Sequence, residues 1–403
     1  MRYYSFLVLT ALIIAGCSST PKQYFKSGLN TKFTSQPQQP FKEYIEQSER
    51  MIAKARTDLN DENFEKIMDA VSPFELLPGK ECAQEAPGKY KNGILLIHGF
   101  LDSPYLVKSI AKHFHSRCFL VRAILLPGHG TVPADIINTS HVEWLKATEY
   151  GVYRLRNRVD NLFIGGYSTG GTLSIHSALK HRGEFKGIFL FSPAVRINSI
   201  FTPLAEKVSF YKRWLITHED ADYAKYESIS MNGVAQVYEV TRKVKMLLQS
   251  GKEIDTPVFM VISLDDTTVD PWESIRFFKK SATSPKSRGY VYMVSPKKQR
   301  FGDLRLFAVN SFFPDEHIAD ISHVSITIPP DDPHYGRYGD YAYCIHYLEN
   351  PKKLLECRQG GRDIWYGETG IMNQYKYVLR RLTFNPNYDK LIKDIDRFID
   401  NTQ

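Results

Sequence analysis

One serine in this chain stands where a nucleophile has to stand. Gly166-Tyr167-Ser168-Thr169-Gly170-Gly171 follows an apolar run at 161–165 and opens a helical pattern at Thr172-Leu173. A nucleophile on a sharp strand-to-helix turn occupies strained backbone space, and small flanking residues let the chain pass closely on both sides. The helix that follows aims free N–H groups at the turn, where they favour negative charge. Alone, Gly-x-Ser-x-Gly is a weak signal that ordinary turn serines also satisfy. Between a strand and a helix it points to nucleophilic attack on a carbonyl through an oxyanion.

The elements that must hold this serine show in the hydrophobic pattern. Continuous apolar runs at 94–97, 118–124, 161–165, 187–191 and 258–262 suit strands buried on both faces, with 304–310 a weaker candidate. Helical spacing fills the gaps at 106–114, 141–159, 171–182 and 271–280. Strands alternating with helices predict an α/β fold, a mostly parallel sheet with helices on both faces. Reactive groups in such sheets gather at the C-terminal ends of the strands. One or two helices precede the core at 41–70, and amphipathic spacing at 387–399 predicts a closing helix. Residues from about 195 to 251 interrupt the alternation and read as a cap inserted over the site. The stretch 330–347, dense in Pro, Asp, Gly and Tyr, reads as an ordered loop.

A second motif carries a family resemblance. Leu95-Leu96-Ile97-His98-Gly99-Phe100-Leu101 sets His-Gly-Phe after an apolar strand, with Gly-x-Ser-x-Gly downstream. Together they resemble the α/β hydrolases, in particular bacterial carboxylesterases, monoacylglycerol-lipase-like enzymes and serine aminopeptidases. The resemblance implies the α/β-hydrolase fold and an oxyanion hole made by the backbone N–H groups of Phe100 and Thr169. It also implies a triad in the chain order Ser, Asp, His. Asp265, Asp266 and Asp270 follow the strand at 258–262. The family pattern of an Asp, two residues and a Val fits Asp266 with Val269. Asp265 is its rival, and Asp270 before Pro271 reads as a helix cap. Among His317, His323, His334 and His346, the Ser322-His323 pair resembles the family's terminal motif, so His323 is the expected base. His334 and His346 lie where a surface residue is expected. His98 and His129, the latter in Leu126-Pro127-Gly128-His129-Gly130, read as loop supports rather than bases. The tail beyond His323 suggests no chemistry of its own. A triad of this kind implies no cofactor and no metal, and no cysteine or histidine spacing suggests zinc.

The N-terminus places the chain outside the cytoplasm. Met1-Arg2, a short apolar run at 6–14 and Ala15-Gly16-Cys17 make an export signal. Ile14-Ala15-Gly16-Cys17 resembles the lipobox of bacterial lipoproteins, which implies cleavage before Cys17 and lipidation of its thiol. Residues 1–16 are then the signal, 17–40 a flexible lipidated tether, and 41–403 the hydrolase domain. The remaining Cys82, Cys118, Cys344 and Cys357 are an even set in an exported chain, and proximity favours the pairs 82–118 and 344–357. The net charge of +8 is scattered among acidic residues, so no nucleic-acid stripe is evident. The whole reading is a lipid-anchored serine hydrolase of acyl esters or similar lipid-like molecules. It belongs to the bacterial envelope, with the outer membrane preferred because Ser18 is not Asp. A peptidase or thioesterase with the same triad is the alternative within that chemistry. A non-catalytic envelope binding protein is the alternative outside it.

Overall fold

Runs of branched and aromatic residues, buried on both sides, build the centre of the molecule. The computed structural model describes residues 25–402, apart from 83, 87, 199–211, 218, 219, 299, 300 and 362. Strands β1 (Phe74–Leu76), β2 (Gln84–Ala86), β3 (Lys89–Ile97), β4 (Phe119–Ile124), β5 (Val159–Tyr167) and β6 (Phe185–Phe191) come first. A small antiparallel pair, β7 (Trp214–Ile216) and β8 (Ile229–Ser230), interrupts them. Then come β9 (Val258–Ser263), β10 (Arg288–Met293) and β11 (Leu306–Asn310), and a separate parallel pair, β12 (Ile364–Gly367) and β13 (Val378–Arg381). The main sheet has nine strands, eight of them in the order β1-β4-β3-β5-β6-β9-β10-β11, and β2 pairs with the start of β3. From β4 to β11 every neighbour is parallel; β1 and β2 pair antiparallel.

The helices are α1 (Phe41–Ala55), α2 (Phe64–Val71), α3 (Tyr105–Ser116), α4 (His141–Arg156), α5 (Thr169–Lys180) and α6 (Met231–Gln249). After them come α7 (Pro271–Ser281), α8 (Pro351–Gln359), α9 (Ile371–Lys376) and α10 (Tyr388–Thr402). Successive strand side chains point to opposite faces. Ile94, Leu96, Phe163, Phe189 and Phe259 therefore pack with Ile110 and Phe114 of α3 and Ile395 and Phe398 of α10. Leu95, Ile97, Ile164, Leu190 and Met260 pack on the other face with Trp144, Leu173 and Phe278 of α4, α5 and α7. This is the α/β-hydrolase architecture, with both faces of a parallel sheet covered.

Several elements differ from the sequence expectation. The run at 94–97 is the second half of a nine-residue strand. Its first half hid behind Lys89, Lys91 and Asn92, although Asn92 is buried and accepts from Asn161 Nδ2 across the sheet at 3.0 Å. Strand β10 was not foreseen, because Arg288 and Gly289 break its apolar run. The tether expected to reach residue 40 is shorter. Asn30 is buried and donates to His129 O at 2.7 Å, Ser27 bonds Asp135, and Phe33 sits among Tyr44 and Tyr150. Polar composition suggested a flexible segment there, but these side chains find partners on the domain surface. The export signal and Cys17 lie outside the described residues. Two disulfides join Cys82 to Cys118 and Cys344 to Cys357. Within 195–251, α6 lies against α5 and over Phe100, whose ring fills the space beside Gly233.

Candidate active site

Ser168 sits at the C-terminal end of β5, at φ 53° and ψ −115°, immediately before α5. Only a tight environment holds a non-glycine residue at positive φ. Its N–H donates to Phe191 O at 2.9 Å, and its carbonyl accepts from Ala194 and Thr172 at 3.1 and 3.2 Å. Both flanking glycines are required by close backbone approach. A Cβ at Gly166 would lie 2.3 Å from Gly170 C, and one at Gly170 would lie 2.0 Å from Ile97 O.

The expected acid and base converge on this serine from two other loops. His323 Nε2 lies 3.0 Å from Ser168 Oγ, and His323 Nδ1 lies 2.6 Å from Asp266 Oδ2. Asp266 comes from the loop after β9, and His323 from the long loop after β11. The other carboxylate oxygen of Asp266 accepts the N–H groups of Thr268 and Val269 at 2.8 and 3.0 Å. These two donors fix the carboxylate plane and leave Oδ2 aimed at the imidazole. Asp265 does not reach His323; burial and the charge of Glu368 raise its carboxyl to about 6. Asp270 caps α7 by accepting from Trp272 and Glu273.

The loop after β3, which carries the expected oxyanion donor Phe100, is braced by two buried histidines. His98 Nε2 accepts the Leu126 N–H at 3.0 Å, and His129 Nε2 accepts the Leu101 N–H at 3.1 Å. Accepting at Nε2 requires both rings to be neutral. Burial and the neighbouring His129 hold His98 well below its usual range, and burial takes His129 down to about 4. Leu101 adopts φ 69°, and its carbonyl accepts from Tyr226 at 2.8 Å. Among the described residues no acceptor meets the N–H of Phe100 or of Thr169. Thr169 follows Ser168 directly, and Phe100 follows Gly99, where an added Cβ would lie 3.1 Å from Ser168 Cβ.

Sequence reasoning missed three charged side chains around this site. Lys225, from the insertion, forms an ion pair of 3.7 Å with buried Asp102 of the loop after β3. Glu368 accepts the backbone N–H of His323 at 2.9 Å, and Arg381 bonds Glu368 at 3.0 Å. Their partners lie far away along the chain, so no local motif marks them. The other candidate histidines stand apart from Ser168. His317 stacks on Trp365, and His346 Nε2 meets Leu379 O. His334 is not a surface residue as expected. It is buried between Asp222 and Asp340; burial by itself would lower its pKa, but the carboxylates on its two ring nitrogens raise it above the ordinary value. Among the described residues no group of His, Cys, Asp and Glu is arranged to hold a metal ion.

A parallel sheet whose fifth strand ends in a strained serine, with an imidazole and a carboxylate in line, defines an α/β hydrolase with a serine-centred site. The family model for serine aminopeptidase, S33, matches residues 88–292, half of the chain, and the protein belongs to that family. A thermostable monoacylglycerol lipase of Bacillus sp. (strain H-257) is 26% identical over 200 residues, 48% of this chain and 78% of that one. A carboxylesterase of Bacillus subtilis (strain 168) is 26% identical over 117 residues, 28% of this chain and 47% of that one. A solved structure described with two metagenome-derived lipolytic enzymes, LipS and LipT, aligns at a TM-score of 0.47 with 22% identity. That alignment covers 55% of this chain and 86% of the other.

Proposed function

We propose that the protein hydrolyses carboxylic esters of lipid-like molecules, with Ser168 as nucleophile, His323 as general base and Asp266 as its orienting acid. The observation that carries this reading is the continuous relay from Asp266 through His323 to Ser168, at 2.6 and 3.0 Å. The imidazole takes the serine proton as Oγ attacks the acyl carbonyl. The N–H groups of Phe100 and Thr169 receive the oxyanion, a contribution worth roughly 10²–10³ in rate per donor. His323 then protonates the leaving alcohol, and water hydrolyses the acyl-enzyme by the same steps in reverse.

The similarity to a monoacylglycerol lipase and a carboxylesterase supports an ester as the scissile bond. An aminopeptidase needs an anion for the substrate's ammonium group. Among the described residues, three carboxylates near Ser168 face a basic side chain, Asp102 with Lys225, Glu368 with Arg381 and Asp266 with His323, while Asp265 Oδ2 is buried without a partner, so the amide arm of the panel below decides between the two bonds. Lipidation at Cys17 and an address in the bacterial envelope belong to the same proposal and rest on the lipobox resemblance of residues 14–17.

A fluorophosphonate probe tests the nucleophile. Wild-type protein is expected to be labelled and Ser168→Ala to be inert; equal labelling of both removes Ser168 from the mechanism. A panel of p-nitrophenyl esters, thioesters and aminoacyl amides tests the bond. Faster turnover of the amides would replace the esterase reading with a peptidase one. Metabolic labelling with an alkynyl fatty acid tests the anchor, and label retained by Cys17→Ser would refute it.

A further inference from the structure

His323 is held from behind by a segment that the relay itself does not use. Glu368, at the end of β12, and Arg381, at the end of β13, are both buried, with side chains 1% and 9% exposed. Glu368 Oε2 accepts the His323 N–H at 2.9 Å, and its Oε1 accepts the Thr369 N–H at 2.8 Å. Arg381 Nη2 donates at 3.0 Å both to Glu368 Oε2 and to Thr268 Oγ1. The Thr268 N–H in turn donates to Asp266 Oδ1. One guanidinium nitrogen therefore ties the loop carrying the base to the loop carrying the acid.

The pair is itself anchored. Arg381 Nη1 reaches the Tyr343 hydroxyl at 3.2 Å, and the Glu368 N–H donates to Asp320 Oδ1 at 2.6 Å. Burial by itself would raise the Glu368 carboxyl, but the charge and hydrogen bonds of Arg381 carry it well below the usual range. Both groups are thus charged when the site works. A well-packed apolar pair often serves a fold as well as a buried ion pair does. Apolar side chains cannot receive a backbone N–H from His323 and a hydroxyl contact from Thr268 together. The distances point to geometry at the reacting groups rather than to cohesion of the core.

We propose that Glu368 and Arg381 are a positioning pair that sets His323 and Asp266 in register with Ser168. This rests on the hydrolase reading of those three residues. Neither member touches substrate; each acts through the loops it holds. Displacement of the imidazole by about 1 Å costs on the order of 10² in rate.

The test is steady-state turnover of p-nitrophenyl butyrate by the full chain, with thermal melting as a folding control and Ser168→Ala alongside. Glu368→Ala is expected to lower kcat by roughly 10² with KM changed less than about twofold. Glu368→Gln keeps an acceptor for the His323 N–H and is expected to recover most of that loss. Thr268 is exposed, so Thr268→Val folds normally; it is expected to lower kcat by roughly 3–10, again at constant KM, by freeing the acid loop. This variant decides the matter if Glu368→Ala does not fold. Wild-type kcat in folded Glu368→Ala, or in Thr268→Val where the former does not fold, overturns the positioning role while Ser168→Ala remains inactive. An active Ser168→Ala overturns the hydrolase reading and the positioning role with it.

Discussion

Asp266→Asn offers the sharpest test of the acid assignment, because the surrounding donors dictate how the new amide must sit. In the native loop Asp266 Oδ1 accepts two backbone N–H groups, from Thr268 and Val269, while Oδ2 faces His323 Nδ1 at 2.6 Å. An asparagine oxygen can serve only one side. Facing the imidazole, it would turn its NH₂ group against two N–H donors, and each unmet buried bond costs about 1–3 kcal/mol. The amide therefore keeps its oxygen on Thr268 and Val269 and presents N–H to the imidazole. Nδ1 must then accept, which moves the ring proton to Nε2. Ser168 Oγ meets an N–H instead of a lone pair, and the base is lost without any shift of heavy atoms. The expected fall in kcat is about 10⁴, equivalent to about 5.5 kcal/mol of transition-state stabilisation. Asp265→Asn makes no comparable change, since Asp265 does not contact the ring, and its effect is expected to stay within about threefold. Turnover of p-nitrophenyl butyrate and the rate of fluorophosphonate labelling measure both variants. Asp266→Asn within tenfold of wild type, or Asp265→Asn as the more damaged of the two, refutes the reasoning.

Other consequences are open to direct measurement. Gly170→Ala would drive a Cβ to within 2.0 Å of Ile97 O, and is expected to cost about 3 kcal/mol or more in a urea melt; a variant of wild-type stability and activity would contradict the close approach. Burial, offset in part by its hydrogen bonds and helped by the charges of Asp265 and Glu368, raises the Asp320 carboxyl to about 7. Between the ordinary carboxylate range and that value, the folded chain holds a proton the unfolded chain has released. This group therefore lowers stability as pH rises through that window. Asp320→Asn is expected to flatten the fall in urea midpoint between pH 5 and pH 8, and an unchanged slope would count against it. The two disulfides close chain separations of 36 and 13 residues. On loop entropy alone, their removal by paired Cys→Ser changes is expected to cost about 4 and about 3 kcal/mol respectively. A larger loss from the Cys344–Cys357 pair would show that enthalpy or residual structure governs instead.

Much of the site was readable before any coordinates. Ser168, Phe100 and Asp266, the proposed nucleophile, oxyanion donor and acid, stand at or just beyond the C-terminal ends of apolar strands, where local pattern marks them. His323 was less well marked, since its loop follows a weak strand candidate, and chain order together with the Ser-His resemblance selected it. Strands β3 and β10 were shortened or missed because Lys, Asn, Arg and Gly interrupt their apolar runs. Burial there is supplied by neighbouring strands, as when Asn92 pairs with Asn161. The same holds for residues 25–39, polar in composition yet bound through Asn30 and Phe33 to the domain surface.

What the sequence determined by itself was the serine turn and the parallel sheet, because those depend on periodicity and on short-range sterics; the order of Ser168, Asp266 and His323 followed only from the family resemblance. Tertiary structure decided the rest. It aimed the Asp266 carboxylate at the imidazole and left the Asp265 carboxylate out of reach of it, with Oδ2 unpartnered among the described residues. It buried His334 between two carboxylates, and it brought Lys225, Glu368 and Arg381 from distant segments to the loops carrying Asp102, His323 and Thr268. A buried charge must find its counter-charge wherever the folded chain places one. That pairing is a property of packing in three dimensions, and nothing in the neighbouring residues records it.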